Sequence, residues 1–247
     1  MLSVILLPGL ACDGELFQHQ APALAEAGAR VHRVHRVHRV HRVHISDVHT
    51  RCATLQQMAH TLLAEQPGQH VLVGASMGGM LAMEMQRQAP QRVQALGLLG
   101  TTARPDTPEL IQLRTQACAL FAAGRMDEVL RANVLFAFHP TRVREPGLAE
   151  RYLAMIGRAG AQQLIAQNHA VMARVDSRPH LPAVTCPVLV ACGEADQLTT
   201  PEHAREMAAL MPQAQLEIVP GAGHMLTMEQ PQRVNALLLN WLRSLGD

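Results

Sequence analysis

The sequence predicts an α/β protein: a mostly parallel central sheet with helices on both faces and a helical insert between two of its strands. Three observations carry that reading. Short apolar runs alternate with amphipathic stretches near both ends of the chain. The runs are apolar throughout, not at every second residue, which marks strands covered on both faces. Between residues 102 and 176 the alternation stops and helical stretches follow one another. The 247 residues include 48% hydrophobic and 17% charged side chains, enough for one large core with an insert.

In order, Ser3–Leu7 reads as a buried strand closed by Pro8 and Gly9. Glu15–Ala27 reads as a helix stopping near Gly28, and Thr54–Glu65 as a second, ended by Pro67 and Gly68. Val71–Val73 is a strand, Met77–Ala89 a helix with Met77, Met80, Leu81 and Met85 near helical spacing, and Val93–Leu99 a strand. The insert contributes Pro108–Ala123, Met126–Phe138, Leu148–Ile156 and Ala161–Ala173, bracketed by Pro105 and Pro179. Alternation then resumes with strand Pro187–Cys192, helix Pro201–Leu210, strand Gln215–Val219 and helix Gln232–Leu245. The expected division is a core of 1–101 and 177–247 and a helical cap of 102–176.

Arg30–His44 repeats the tripeptide Arg-Val-His five times. A period of three matches neither the strand's two nor the helix's 3.6 residues, so no single regular element keeps every valine on one face. One end of the repeat is expected to supply the strand before Ser46, with the other copies bulging as a disordered, basic surface spot. A tandem duplication in a surface connection explains it. A metal-binding histidine tract is the functional alternative.

Composition narrows the function. Aromatic residues are only 2%, which argues against base stacking on nucleic acid and against a carbohydrate platform. The net charge of +1 points to no polyanionic partner. The five cysteines, Cys12, Cys52, Cys118, Cys186 and Cys192, form no C-x-x-C pair, as expected for inert buried thiols in a reduced, cytoplasmic protein. The apolar start, MLSVILLPGL, has no basic region or cleavage motif and reads as a strand, not a signal peptide. No run is long enough to span a membrane.

The chemistry centres on Gly74-Ala-Ser76-Met-Gly78, G-x-S-x-G, between a strand and a helix. A sharp strand-to-helix turn exposes the serine at the carboxyl edge of the sheet, where such sheets bind ligands. Gly74 and Gly78 are needed because side chains there would strike neighbouring backbone. The Met77 amide points toward a developing anion at the start of a helix. Serine needs a base. Among fourteen histidines, His224 follows the Gln215–Val219 strand in a Gly-rich turn, at the same sheet edge as Ser76. A turn histidine capping a helix is the structural alternative to that role. An acid must orient the imidazole. Asp196 follows the Pro187–Cys192 strand; Glu194 is its rival, and a helix cap is the alternative role. The second oxyanion donor is sought in Pro8-Gly9-Leu10, where Gly9 permits close approach and the Leu10 amide turns inward.

These segments resemble the α/β-hydrolase superfamily, within its small cap-bearing bacterial serine hydrolases and esterases. LPGLACDGELFQHQ resembles the oxyanion loop, VLVGASMGGMLAMEMQRQAPQRVQALGLLGTTARP the elbow, helix and next strand, and CGEADQLTTP and GAGHMLTMEQPQRV the acid and base segments. Two features depart from the pattern: Pro8-Gly9 stands where His-Gly is usual, and the tripeptide repeat lengthens one connection. The resemblance implies an α/β-hydrolase fold and a Ser76–Asp196–His224 triad. It also implies an acyl-enzyme route for a small ester or thioester substrate, with no cofactor and no metal. The same triad also serves carbon–carbon bond hydrolases, and the same fold serves non-catalytic ligand receptors. In the insert, Phe121, Leu130, Leu135, Phe136, Phe138 and Met155 are expected in the cap core or lining a substrate site. Arg125, Arg131, Arg142 and Arg144 are expected on a solvated face or facing an acidic substrate, and His139 has no evident partner.

Overall fold

The computed structural model describes residues 2–29 and 42–245. The strands are β1 (Ser3–Leu7), β2 (Arg42–Ile45), β3 (His70–Ala75), β4 (Val93–Leu99), β5 (Val188–Gly193) and β6 (Ala214–Val219). They form one sheet in the order β2-β1-β3-β4-β5-β6, parallel at every pairing. Alternate residues feed opposite faces. Val4 and Leu6 of β1 join one apolar cluster, and Ile5 and Leu7 the other. The first face is covered by α1 (Gln20–Ala29) and α9 (Pro231–Ser244), through Leu24, Leu238 and Trp241. The second is covered by α2 (Leu55–Glu65), α3 (Met77–Gln88) and α7 (Pro201–Leu210). Thr54 caps α2 by accepting the Gln57 N–H at 3.1 Å. Pro201 and Pro231 open their helices where a missing N–H costs nothing.

Between β4 and β5 run α4 (Pro108–Ala122), α5 (Met126–Ala137) and α6 (Leu148–Met172). Phe121, Leu130, Phe138 and Met155 are buried in the cluster on the α1 and α9 side of the sheet. Leu135 and Phe136 are not: they are 60% and 48% exposed, on the outer face of α5. The neck of the insert is stitched. Asp106, before α4, receives Arg174, after α6, at 2.8 Å and Arg114 at 2.6 Å. Asp106 and Arg174 are both buried, an arrangement whose disruption leaves an uncompensated charge. The Ser177 N–H also donates to Ala103 O at 2.9 Å.

Several expected boundaries move. The helix expected over Glu15–Ala27 is two pieces: a 3-10 turn at Gly14–Phe17, and α1 beginning at Gln20. The two helices expected at 148–173 run on as α6, broken at Gly160 (φ 75, ψ 169), where only glycine is unstrained. The last helix is preceded by a short α8 (Leu226–Glu229). The final Arg-Val-His copy opens β2, and the surface bulge expected for the others, residues 30–41, lies outside the described residues. Cys12, Cys118 and Cys192 are buried as expected, but Cys52 and Cys186 are only half-buried. Among the described residues no helix is long and apolar enough to cross a membrane.

Candidate active site

All strands run parallel, so their carboxyl ends share one edge, and the candidate residues collect there. Ser76 follows β3 directly and opens α3 with φ 53 and ψ −117, a positive φ that a side chain rarely adopts. Ser76 N–H donates to Leu99 O at 2.9 Å, and Thr101 Oγ1 donates to Ser76 O at 2.7 Å, so the end of β4 holds the turn. The flanking glycines are required by space. A Cβ on Gly74 would enter the Gly78 carbonyl, and one on Gly78 would enter the Leu7 carbonyl at the end of β1. The turn thus packs backbone on backbone.

His224 Nε2 lies 3.0 Å from Ser76 Oγ, and His224 Nδ1 lies 2.9 Å from Asp196 Oδ2. A carboxylate only accepts, so Nδ1 carries the proton and Nε2 offers its lone pair to the serine hydroxyl. Asp196 is immobilised by the Leu198 and Thr199 N–H groups, each 2.9 Å from Oδ1, and by the Thr199 hydroxyl 2.9 Å from Oδ2. Burial pushes the Asp196 carboxyl up, but the His224 charge and these hydrogen bonds outweigh it and hold the carboxyl below its ordinary range. Burial pulls the His224 imidazole down, yet the charge and hydrogen bond of Asp196, with the charge of Glu229, raise it above its ordinary value. Glu194, the rival acid, is turned away: it accepts the Gly221 N–H at 2.6 Å.

The loop after β1 faces this dyad. A Cβ on Gly9 would lie 3.3 Å from Ser76 Cβ, so the Pro8–Leu10 backbone passes close to the Ser76 side chain. Among the described residues, neither the Leu10 nor the Met77 N–H has a hydrogen-bond acceptor. Ala11 continues the loop at φ 56 and is pinned by Gln167 of α6, whose Oε1 accepts the Ala11 N–H at 2.6 Å while its Nε2 donates to His49 O at 3.1 Å. His49 in turn donates to Cys12 O at 2.8 Å, its imidazole kept below the ordinary value first by burial.

Several residues here were not singled out from the sequence: Thr101, Thr199, Gln167 and Glu229. The first three are polar side chains buried beside the site, and the only sequence signal for them is a polar residue adjoining an apolar strand or stripe. His139 does have partners. Its backbone N–H donates to Glu229 Oε2 at 2.7 Å, and its Nδ1 accepts from Thr141. Arg125 and Arg142 pair with Glu128 and Glu145 on the surface of the insert.

A serine at a strand–helix turn, an imidazole and a buried carboxylate at one edge of a parallel sheet together define the class of α/β hydrolases. The chain belongs to the alpha/beta hydrolase family, whose sequence model matches residues 4–237. It is 26% identical over 249 aligned residues to an Escherichia coli K12 protein named "Putative carbamate hydrolase RutD", covering 98% of this chain and 91% of that protein. Its structure is similar to that of a thermophilic esterase from Thermogutta terrifontis with malate bound. That match has a TM-score of 0.86 and 28% identity, over 99% of this chain and 90% of the other. The enol-lactonase from Burkholderia xenovorans shares the fold, with a TM-score of 0.84 and 20% identity over 98% and 91% of the two chains.

Proposed function

We propose that the chain is a serine hydrolase that cleaves a small ester or thioester through an acyl-enzyme. The observation that carries this reading is the unbroken path from Ser76 Oγ through His224 to Asp196, at 3.0 and 2.9 Å. Ser76 Oγ attacks the carbonyl carbon and its proton passes to Nε2. Asp196 stabilises the imidazolium, and the Leu10 and Met77 N–H groups receive the oxyanion. Nε2 then protonates the departing alcohol or thiol. Water gives its proton to the same nitrogen, attacks the acyl carbon and releases acid and free serine. The scheme draws on no metal and no organic cofactor. Residues 102–176 act as a cap whose inner surface selects the substrate, over a core formed by 1–101 and 177–247. The described cysteines are all free thiols, which supports a reducing, cytoplasmic setting.

A second reading keeps the machinery and replaces the ester by a carbamate, as the name of the Escherichia coli relative suggests. Its carbonyl carbon, at the carbonic-acid level, is less electrophilic than an ester's but meets the same nucleophile, and the leaving alcohol or amine takes its proton from the same imidazole. Hydrolysis of p-nitrophenyl acetate, p-nitrophenyl butyrate and an aryl carbamate, each with Ser76→Ala as control, separates the two. The expected loss on Ser76→Ala exceeds about a thousandfold, together with loss of fluorophosphonate labelling. Ester turnover surviving in Ser76→Ala would refute the assignment.

A further inference from the structure

Glu229, on α8, is 3% exposed, and the proposed reaction scheme uses it in no step. A carboxylate is seldom buried without strong partners. Its partners are two backbone donors. Oε1 accepts the Gly223 N–H at 2.8 Å, and Oε2 accepts the His139 N–H at 2.7 Å. Gly223 immediately precedes His224, and His139 lies just past the end of α5. On the other side of His224, the Met225 N–H donates to Ala137 O at 3.0 Å. The two segments are pressed together: a Cβ on Gly223 would lie 2.6 Å from both His139 N and Phe138 C. The loop that presents the imidazole is thus clamped, before and after, to the last residue of α5 and the two that follow it. Two convergent N–H groups call for two acceptor oxygens. A glutamine would offer one and turn an N–H₂ on the other donor.

We propose that Glu229 is a positioning residue for His224, clamping its loop to the end of α5 and setting a negative charge beside the imidazolium formed when Ser76 is deprotonated. This rests on the serine-hydrolase reading of His224. It makes the insert part of the base's support as well as a cover over the substrate. Burial pushes the Glu229 carboxyl up to about 7, against the pull of the two N–H groups and of the His224 and Arg142 charges. The titratable groups around it are His224 and Asp196 at the sheet edge, His139 and Arg142 after α5, and Glu194, 3.6 Å from the His139 ring. Glu15, on the turn packed against α8, is engaged by Arg158.

The test compares Glu229→Gln and Glu229→Asp on p-nitrophenyl butyrate, with folding checked by thermal melting. Glu229→Gln is expected to lower kcat by about 10-fold to 100-fold with KM little changed. It should also move the acid limb of kcat/KM to lower pH, because a charge favouring the imidazolium is gone. Glu229→Asp retains the charge but is one methylene short, so kcat falls while the acid limb stays near its original position. A folded Glu229→Gln with wild-type kcat overturns the proposal. So does a fall in kcat with an unmoved acid limb, which is what a merely structural strut would give. The unaltered protein provides a further reading by NMR: the Glu229 carboxyl carbon and the His224 imidazole should share titration steps, and independent titrations overturn the coupling. That reading needs no substrate and no variant to fold. It therefore separates failure of this proposal from failure of the hydrolase reading, which shows instead as wild-type protein inactive on every carbonyl substrate.

Discussion

Replacing Asp196 by Asn changes the volume of the side chain little and the chemistry of one atom. The amide must turn its N–H₂ toward one of two sets of partners. Toward the Leu198 and Thr199 N–H groups, now at 2.9 Å from Oδ1, it would oppose two fixed donors. Each buried donor left unsatisfied costs about 1–3 kcal/mol. Toward Oδ2's partners it meets the Thr199 hydroxyl, which rotates to accept, and His224 Nδ1, which accepts once the ring changes tautomer. The second orientation wins. The ring proton then sits on Nε2, 3.0 Å from Ser76 Oγ, where it donates to the serine and cannot take its proton. The expected loss in kcat is about 10³–10⁴-fold, equivalent to about 4–5.5 kcal/mol of barrier. KM should change little and the melting temperature should stay close to that of the wild type. Steady-state kinetics on p-nitrophenyl butyrate, with active-site titration by a fluorophosphonate, measure it. A folded Asp196→Asn retaining more than about a tenth of wild-type kcat would refute the tautomer argument.

Three further outcomes follow from the same geometry. Only neutral His224 accepts the serine proton and its folded-state value is raised, so kcat/KM should climb with pH through a midpoint above 6.5, and a midpoint below that contradicts the Asp196 pairing. Gly78→Ala drives a methyl into the Leu7 carbonyl, so α3 must part from β1. A loss of about 1–3 kcal/mol in urea unfolding is expected, with loss of esterase activity, and a variant matching wild type in both would remove the close-approach argument. Burial holds the Cys12 and Cys192 thiols up to about 12, so both should resist a thiol reagent at pH 8 in the folded protein and react once it is denatured; rapid native labelling of either contradicts their burial.

What the sequence disclosed divides along physical lines. Strands and core helices were legible because burial on both faces leaves continuous Val, Ile and Leu runs, as in Val188–Gly193. The serine turn was legible because close backbone contact excludes side chains, and an absent side chain is visible in sequence. Polar residues working by long-range pairing were not. Gln167 lies 156 residues from the Ala11 amide it holds, and Glu229 lies 90 from the His139 amide. Periodicity reports that a position is buried, not which distant backbone group meets it. The same limit explains Leu135 and Phe136, apolar residues that α5 turns outward, and Glu15–Ala27, where a buried Leu16–Phe17 pair mimicked the first turn of a longer helix.

The positive φ of Ser76 has a consequence for durability. That backbone is comfortable for glycine and costs a side chain about 1–3 kcal/mol, so the chain with serine at this turn is less robust than one carrying glycine on the same scaffold. Ser76→Gly should melt above both wild type and Ser76→Ala. Breeding this molecule for heat resistance alone, with no demand for turnover, would therefore favour erasing the Ser76 hydroxyl.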